Sequence, residues 1–408
     1  YEETENTWVD INYPDITANN WGQNDLLLTE NNKSFLRLTE NDGWRHAYEI
    51  NIDNGKKTLL TNGEYDVATI YAITPEHLYF NASPDNSTQR YLYRVQMNKQ
   101  TSPELLTPKK YSGINVYDLS PDGKYAMHTH SGALQPRSVR LVSLPKHKTK
   151  SILIDNERLN ENLSALDMPE VEFFEVTTRD GVNIDVRMIK PAGFEKDQKY
   201  PVLFHVYGEP WQQVCTDSWI GLWNIMLAQM GYIIVDMDNR GTPCLKGSEW
   251  RKSIYESVGQ INVKDQAQAA EKIIELDFID EENVAVWGWS GGGSMTLNLM
   301  FRYPEIYQTG MAVAPLTNLL IYDNIYTERY MGLPQENMQA YIEGSPLTHA
   351  GNLKGNLLVV HGTGDDNVHY QGTEMLINQL VKTNRQFDLM AYPNRSHGIY
   401  EGKNTTLH

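Results

Sequence analysis

The chain has 408 residues, 40% of them hydrophobic and 21% charged, which is long enough for two hydrophobic cores in an ordinary globular composition. A formal net charge of −17 with no clustered Lys/Arg run argues against a nucleic-acid surface, and no apolar run reaches the roughly eighteen residues of a membrane span. Two cysteines, Cys215 and Cys244, are too few for a disulfide framework and are expected to pack as small apolar side chains.

The chain opens at Tyr1 without a Met or a charged-then-apolar leader, which leads to the expectation of a mature or trimmed polypeptide. Residues 1–168 read as all-β. Short apolar runs, among them KSFLRLTE (33–40), HAYEINID (46–53), EHLYFNAS (76–83) and KYAMHTH (124–130), alternate with turn signals such as Asp53-Asn54-Gly55 and Pro121-Asp122-Gly123. Tyr48 and Tyr93 open similar stretches that both end in Leu-Leu-Thr, and a weaker copy follows from residue 139. An interval of about 45 residues with four short strands per unit suits the blades of a β-propeller, here too few to close a ring. An all-β sandwich is the alternative.

From residue 169 the pattern becomes α/β. PVLFHVYG (201–208), YIIVDMD (232–238), NVAVWGWS (283–290), TGMAVAP (309–315) and NLLVVHGTGDD (356–366) read as buried parallel strands. Between them VKDQAQAAEKIIEL (263–276) gathers Val263, Ala267, Ala270, Ile273 and Ile274 near one helix face. Strands alternating with helices imply a mostly parallel, doubly wound sheet. The two domains are therefore expected at 1–168 and 169–408.

Gly288-Trp289-Ser290-Gly291-Gly292 is a G-x-S-x-G sequence at the end of an apolar strand, with a helix expected over 294–303. A serine on so tight a turn needs small neighbours, and the following helix aims the Gly291 N–H at a developing oxyanion. This is the nucleophile elbow of an α/β-hydrolase, whose acid and base follow the serine along the chain. Asp365 and Asp366 both sit just beyond a strand, and spacing does not separate them; a pair capping a helix near Tyr370 is the bland alternative. His397, in a polar loop after the strand-like FDLMAY (387–392), is the expected general base, whereas His369 is too close to the acid to reach Ser290. Tyr322 and Tyr326 read as an i,i+4 aromatic pair on a helix. No H-E-x-x-H or Cys/His cluster at ligand spacing occurs, so neither a metal nor another cofactor is expected.

GWSGGG (288–293), YDNIYTERYMGLP (322–334), HGTGDDNVHYQ (361–371), SHGI (396–399) and KYPVLFHVYGEP (199–210) together resemble the dipeptidyl peptidase IV subfamily of the prolyl oligopeptidase family. The resemblance covers nearly the whole chain. It implies an α/β-hydrolase catalytic domain preceded by part of a β-propeller, with the chain trimmed at both ends. It implies Asp365 as the triad acid beside Ser290 and His397, and Tyr207 as an oxyanion donor beside Gly291. Asn367 would bond the substrate backbone, and Tyr322, Tyr326, Val368, Leu316 and Leu319 would line the pocket for the side chain at the cleaved bond. The activity implied is release of N-terminal dipeptides, with Pro or Ala penultimate, through an acyl-enzyme. Oligopeptidase, acylaminoacyl-peptidase or esterase activity on the same fold, and a non-catalytic scaffold, are the alternatives. Partners would be peptides with a free N-terminus, in an exported enzyme that forms a homodimer. The sequence departs from the subfamily at Gly291, where a tyrosine is expected, and at Leu319, where a tryptophan is expected. Neither Glu2-Glu3 nor another pair makes a convincing match to its ammonium-binding glutamates.

Overall fold

The computed structural model describes residues 26–29, 33–97 and 99–405. They divide into two compact units. One comprises the described residues up to Met168 with the later segments Thr216–Trp223 and Pro243–Lys252; the other comprises Pro169–Cys215, Asn224–Thr242 and the chain from Ser253.

The first unit contains three four-stranded antiparallel sheets, each pairing its strands in chain order. Their third strands are His46–Asn51, Tyr91–Gln96 and Gln135–Ser143, so the sequence repeat is a repeat of sheets. Three consecutive four-stranded meanders match the form of propeller blades. Gly55 (φ 68°) and Gly123 (φ 65°) occupy turns where a side chain would be strained. Leu36, Leu38, Leu60, Val67, Leu78 and Phe80 of the first two repeats are completely buried in one core cluster.

Two buried polar clusters accompany this core. Arg251, fully buried in the segment Pro243–Lys252, donates from Nη1 to Asp66 Oδ2 at 2.7 Å and from Nε to Glu40 Oε1 at 3.0 Å. One guanidinium thus bridges two buried carboxylates, a pairing that is costly to break from either side.

The second cluster is histidine-rich. His128 and His130 donate through Nε2 to Asn115 Oδ1 and to the Ser112 carbonyl, both at 2.7 Å, and His147 Nε2 lies 2.9 Å from the Tyr117 hydroxyl. All three Nδ1 atoms are buried without a partner, so a second proton would have no acceptor. Burial, reinforced by the Arg140 guanidinium, lowers all three, His128 to about 2 and His147 to about 4.

The second unit is built on one eight-stranded sheet: β1 (Glu170–Thr177), β2 (Asn183–Lys190), β3 (Tyr200–His205), β4 (Ile233–Asp238), β5 (Ile279–Trp289), β6 (Thr309–Val313), β7 (Asn356–Gly362) and β8 (Asp388–Tyr392). The spatial order is β1-β2-β4-β3-β5-β6-β7-β8. β1 and β2 pair antiparallel, as do β2 and β4, and every later pairing is parallel. β4 is buried at every residue, as expected for a strand covered on both faces.

Helix α1 (Ile261–Ile274) buries Val263, Ala267, Ala270 and Ile273 on the predicted face. Helix α2 (Gly291–Arg302) is buried from Gly291 to Phe301, and so is a core helix rather than an amphipathic one. It begins three residues before the predicted start, because the elbow glycines form its first turn. Among the described residues no helix is long and apolar enough to cross a membrane.

The histidine cluster makes stability pH-dependent. An unfolded histidine takes a proton near pH 6.5 that its folded counterpart refuses, so stability is full above that value and falls as the solution is acidified. The expected loss is about 1.4 kcal/mol per histidine per pH unit below 6.5. Urea unfolding between pH 7 and 5 should show this fall, and His128→Asn and His147→Gln should each flatten it. An unchanged pH slope in both variants would assign the loss to other groups.

Candidate active site

β5 ends at Trp289 and α2 begins at Gly291, so Ser290 alone makes the turn between them. Its backbone lies at φ 59° and ψ −119°, a region where a side chain is tolerated only when the surroundings enforce it. The enforcing contacts are visible. Ser290 N donates to the Val313 carbonyl of β6 at 2.9 Å, and the Ser290 carbonyl accepts from Ser294 N at 3.0 Å. A Cβ on Gly288 or Gly292 would collide with the Val206 carbonyl at the end of β3, so the motif's glycines are demanded by a close backbone crossing. The Gly291 N–H belongs to the first turn of α2, whose amides have no partner within the helix.

Asp365 follows β7, where its carboxylate accepts four hydrogen bonds. Oδ1 takes Asn367 N at 3.0 Å and Val368 N at 2.9 Å; Oδ2 takes His397 Nδ1 at 2.7 Å and His361 Nε2 at 3.1 Å. Burial would raise this carboxyl, but the donations from His361 and His397 prevail and hold it well below the ordinary carboxylate range. Asp366 is exposed. The helix Tyr370–Lys382 has His369 as its N-cap, so Asp365 makes a turn within its own loop instead of capping that helix.

The loop carrying His397 is tied to the loop carrying Asp365. Thr363 N donates to the Tyr392 carbonyl and Gly364 N to the Arg395 carbonyl, at 2.9 and 3.0 Å. From the other side, Trp289 Nε1 donates to the His397 carbonyl at 3.0 Å, which brings the histidine's backbone to the residue preceding Ser290. An imidazole held through Nδ1 presents Nε2 as the nitrogen that can accept a proton.

The residues expected to line a pocket gather in one apolar cluster. Leu316, Leu319 and Val368 are buried in it, with Tyr322 and Tyr326 packed against it. Helix α3 (Asn324–Met331) carries Tyr326 but not Tyr322, which corrects the i,i+4 reading. Asp323 caps the helix by accepting from Tyr326 N at 2.8 Å, and this leaves Tyr322 in extended backbone before it. The two rings still meet edge to face, with centroids 5.5 Å apart. Tyr322 donates to Asn367 Oδ1 at 2.7 Å, joining two predicted residues from different loops. Leu319 lies in a short 3-10 turn.

Sequence reasoning overlooked two groups. His361, at the end of β7, is completely buried between Asp365 and Thr373 Oγ1, which lies 2.7 Å from its Nδ1, in helix α4 (Tyr370–Lys382). Glu209 follows Tyr207 after β3 and accepts a short hydrogen bond from the Tyr326 hydroxyl. Burial raises Glu209 to about 7. Burial and then the Glu209 carboxyl likewise raise the Tyr207 phenol. The only signal in the sequence was an acid inside the otherwise uncharged VYGEP. Glu2 and Glu3 lie outside the described residues.

Residues 220–408 match the family described as the prolyl oligopeptidase family, and residues 1–137 match the dipeptidyl peptidase IV N-terminal region. The chain is similar to dipeptidyl peptidase 4 of Arthroderma otae, at 30% identity over 384 residues, covering 91% of this chain and 49% of the relative. It is also similar to dipeptidyl peptidase 4 of Trichophyton equinum, at 30% identity over 376 residues, covering 90% of this chain and 48% of the relative. A crystal structure of Porphyromonas gingivalis dipeptidyl peptidase 4 superposes with a TM-score of 0.89 at 32% identity, over 94% of this chain and 54% of that one. The chain thus spans about half the length of the relatives it matches.

If the Asp365–His397 contact serves proton transfer at Ser290, Asp365→Asn should slow fluorophosphonate labelling of Ser290 by about 10³–10⁴-fold. The amide would offer His397 the wrong hydrogen-bonding partner. Labelling as fast as in the wild type would show that the pair has no such role.

Proposed function

The chain belongs to the prolyl oligopeptidase family, in its dipeptidyl peptidase IV branch, and from that premise we propose that it is a serine exopeptidase releasing dipeptides from free N-termini. The observation that carries this reading is the His397 imidazole bonded at 2.7 Å to Asp365, on a loop tied at 3.0 Å to Trp289 of the elbow. In the proposed mechanism Ser290 Oγ attacks the carbonyl of the penultimate residue while His397 Nε2 takes the hydroxyl proton. Asp365 fixes the imidazole tautomer and stabilises the imidazolium. The Gly291 N–H and the Tyr207 hydroxyl donate to the oxyanion. Collapse expels the amine of the shortened peptide, which takes the proton from His397. A water deprotonated by the same nitrogen then hydrolyses the acyl-enzyme and regenerates Ser290.

Asn367 would hold the substrate backbone from a position fixed by Tyr322. Leu316, Leu319, Val368, Tyr322 and Tyr326 would receive the penultimate side chain. Rigid apolar walls suit a compact group such as the proline ring or the alanine methyl. The division into blades over 1–168 and catalytic machinery over 169–408 is part of the same proposal.

A chromogenic panel of Gly-Pro, Ala-Ala and N-acetyl-Gly-Pro p-nitroanilides tests the reading, each run against Ser290→Ala. Cleavage of the free-amine Gly-Pro and Ala-Ala substrates, at least about tenfold loss on acetylation, and no turnover by Ser290→Ala are expected. Equal cleavage of the acetylated substrate would replace the dipeptidyl reading with an oligopeptidase or acylaminoacyl-peptidase one.

A further inference from the structure

Glu209 is a buried acid at the edge of the proposed site, and the proposed mechanism gives it no task. Its carboxyl lies against the residue that follows the nucleophile: a Cβ built on Gly291 would stand 2.7 Å from Glu209 Oε2 and 3.2 Å from the Tyr207 ring. Glu209 therefore fills the volume that any side chain at 291 would need, next to the N–H assigned to the oxyanion. Tyrosine phenols lie near it. Tyr326 bonds its Oε2, and burial, with the charge of Glu209 adding to it, raises the phenols of Tyr207, Tyr322 and Tyr330. Tyr322, Tyr326 and Tyr330 form a chain of edge-to-face contacts, with centroids 5.5 and 5.0 Å apart. Among the described residues no cationic side chain bonds Glu209, whose partner is the Tyr326 hydroxyl.

A buried carboxyl that lacks a counter-charge and lies near tyrosine phenols has the chemistry of a cation site. The carboxylate supplies charge, and the neighbouring phenol oxygens supply further lone pairs. We propose that Glu209 is a specificity residue that admits a penultimate residue with a cationic side chain, of the lysine or ornithine type, as a second substrate class beside proline and alanine. This inference rests on the dipeptidyl reading above and deepens it. The entering ammonium would complete an ion pair that Glu209 otherwise lacks, whereas a neutral chain of the same length would leave the acid buried and unpaired. Gly291 belongs to the same device, since any larger residue there would displace the carboxyl.

The test compares shape-matched substrates at pH 8.5: Gly-Lys, Gly-Orn and Gly-norleucine p-nitroanilides, with Gly-Pro as reference, on wild type and Glu209→Gln. Wild type should cleave the better of the lysine and ornithine substrates with kcat/KM at least about tenfold above norleucine. Glu209→Gln, which keeps an oxygen for Tyr326, should bring that ratio to near one. A wild-type ratio at or below one overturns the inference whether or not the variant folds. A high ratio that Glu209→Gln leaves unchanged also overturns it. Wild type that labels with fluorophosphonate yet cleaves none of the substrates sinks the dipeptidyl reading itself and the inference with it. Cleavage of Gly-Pro alone sinks only the inference.

Discussion

One carboxylate holds the site together. Asp365 accepts from two backbone amides of its own loop, from His397 on the loop after β8 and from His361 at the end of β7. Because His361 is itself engaged by Thr373 of α4, the carboxylate couples β7, its loop, the following helix and the histidine loop. Each donor removes a way for the side chain to turn, and together they leave Oδ2 facing His397. A histidine loop tethered only by its own backbone would have freedom at the ring. Here the ring position is set by the acid, and the acid by three further donors.

The second constraint is steric. At the elbow the β3 backbone passes so close to α2 that Gly288 and Gly292 cannot carry a side chain. Gly291 differs in kind, because a side chain is what meets it there. Gly288 and Gly292 answer to the fold; Gly291 answers to Glu209. A substitution at either of the first two would have to move a strand. One at 291 would only have to move a carboxyl.

The parts of this arrangement that rest on local chemistry were readable in the sequence. β3 to β8 stood out as short apolar runs bounded by Gly, Asp or Pro, and the four-strand repeat of the first unit showed as a recurring Leu-Leu-Thr. Gly288 to Gly292 announced the elbow because the backbone crossing dictates its composition. The β1–β2 hairpin was missed: Glu170, Glu172 and Glu175 give β1 the look of a surface segment. The choice between Asp365 and Asp366 could not be made from spacing, since only folding shows which of two neighbours turns inward. Tyr322 was misplaced on a helix because the capping strength of Asp323 was overlooked. Glu209 and His361 were silent for a shared reason: their significance lies in contacts with residues distant in the chain, Gly291 and Tyr326 for one, Thr373 for the other.

Asp365 and Glu209 set the same functional group in opposite circumstances within one site. Both are buried, and burial alone pushes a carboxyl toward its neutral form. Asp365 receives four donors, two of them imidazoles, and falls below the ordinary range. Glu209 receives a single donation, from Tyr326, and rises to about 7. The number and charge of donors, together with the deeper setting of Glu209, separate them. Asp365 is consequently held toward the anion, which suits the partner of an imidazole proposed to gain and lose a proton. The ionisation of Glu209 is left to whatever occupies the space beside it: a neutral side chain favours the protonated acid and a cation favours the carboxylate. An acid in the second condition can distinguish substrates; one in the first can only orient a base.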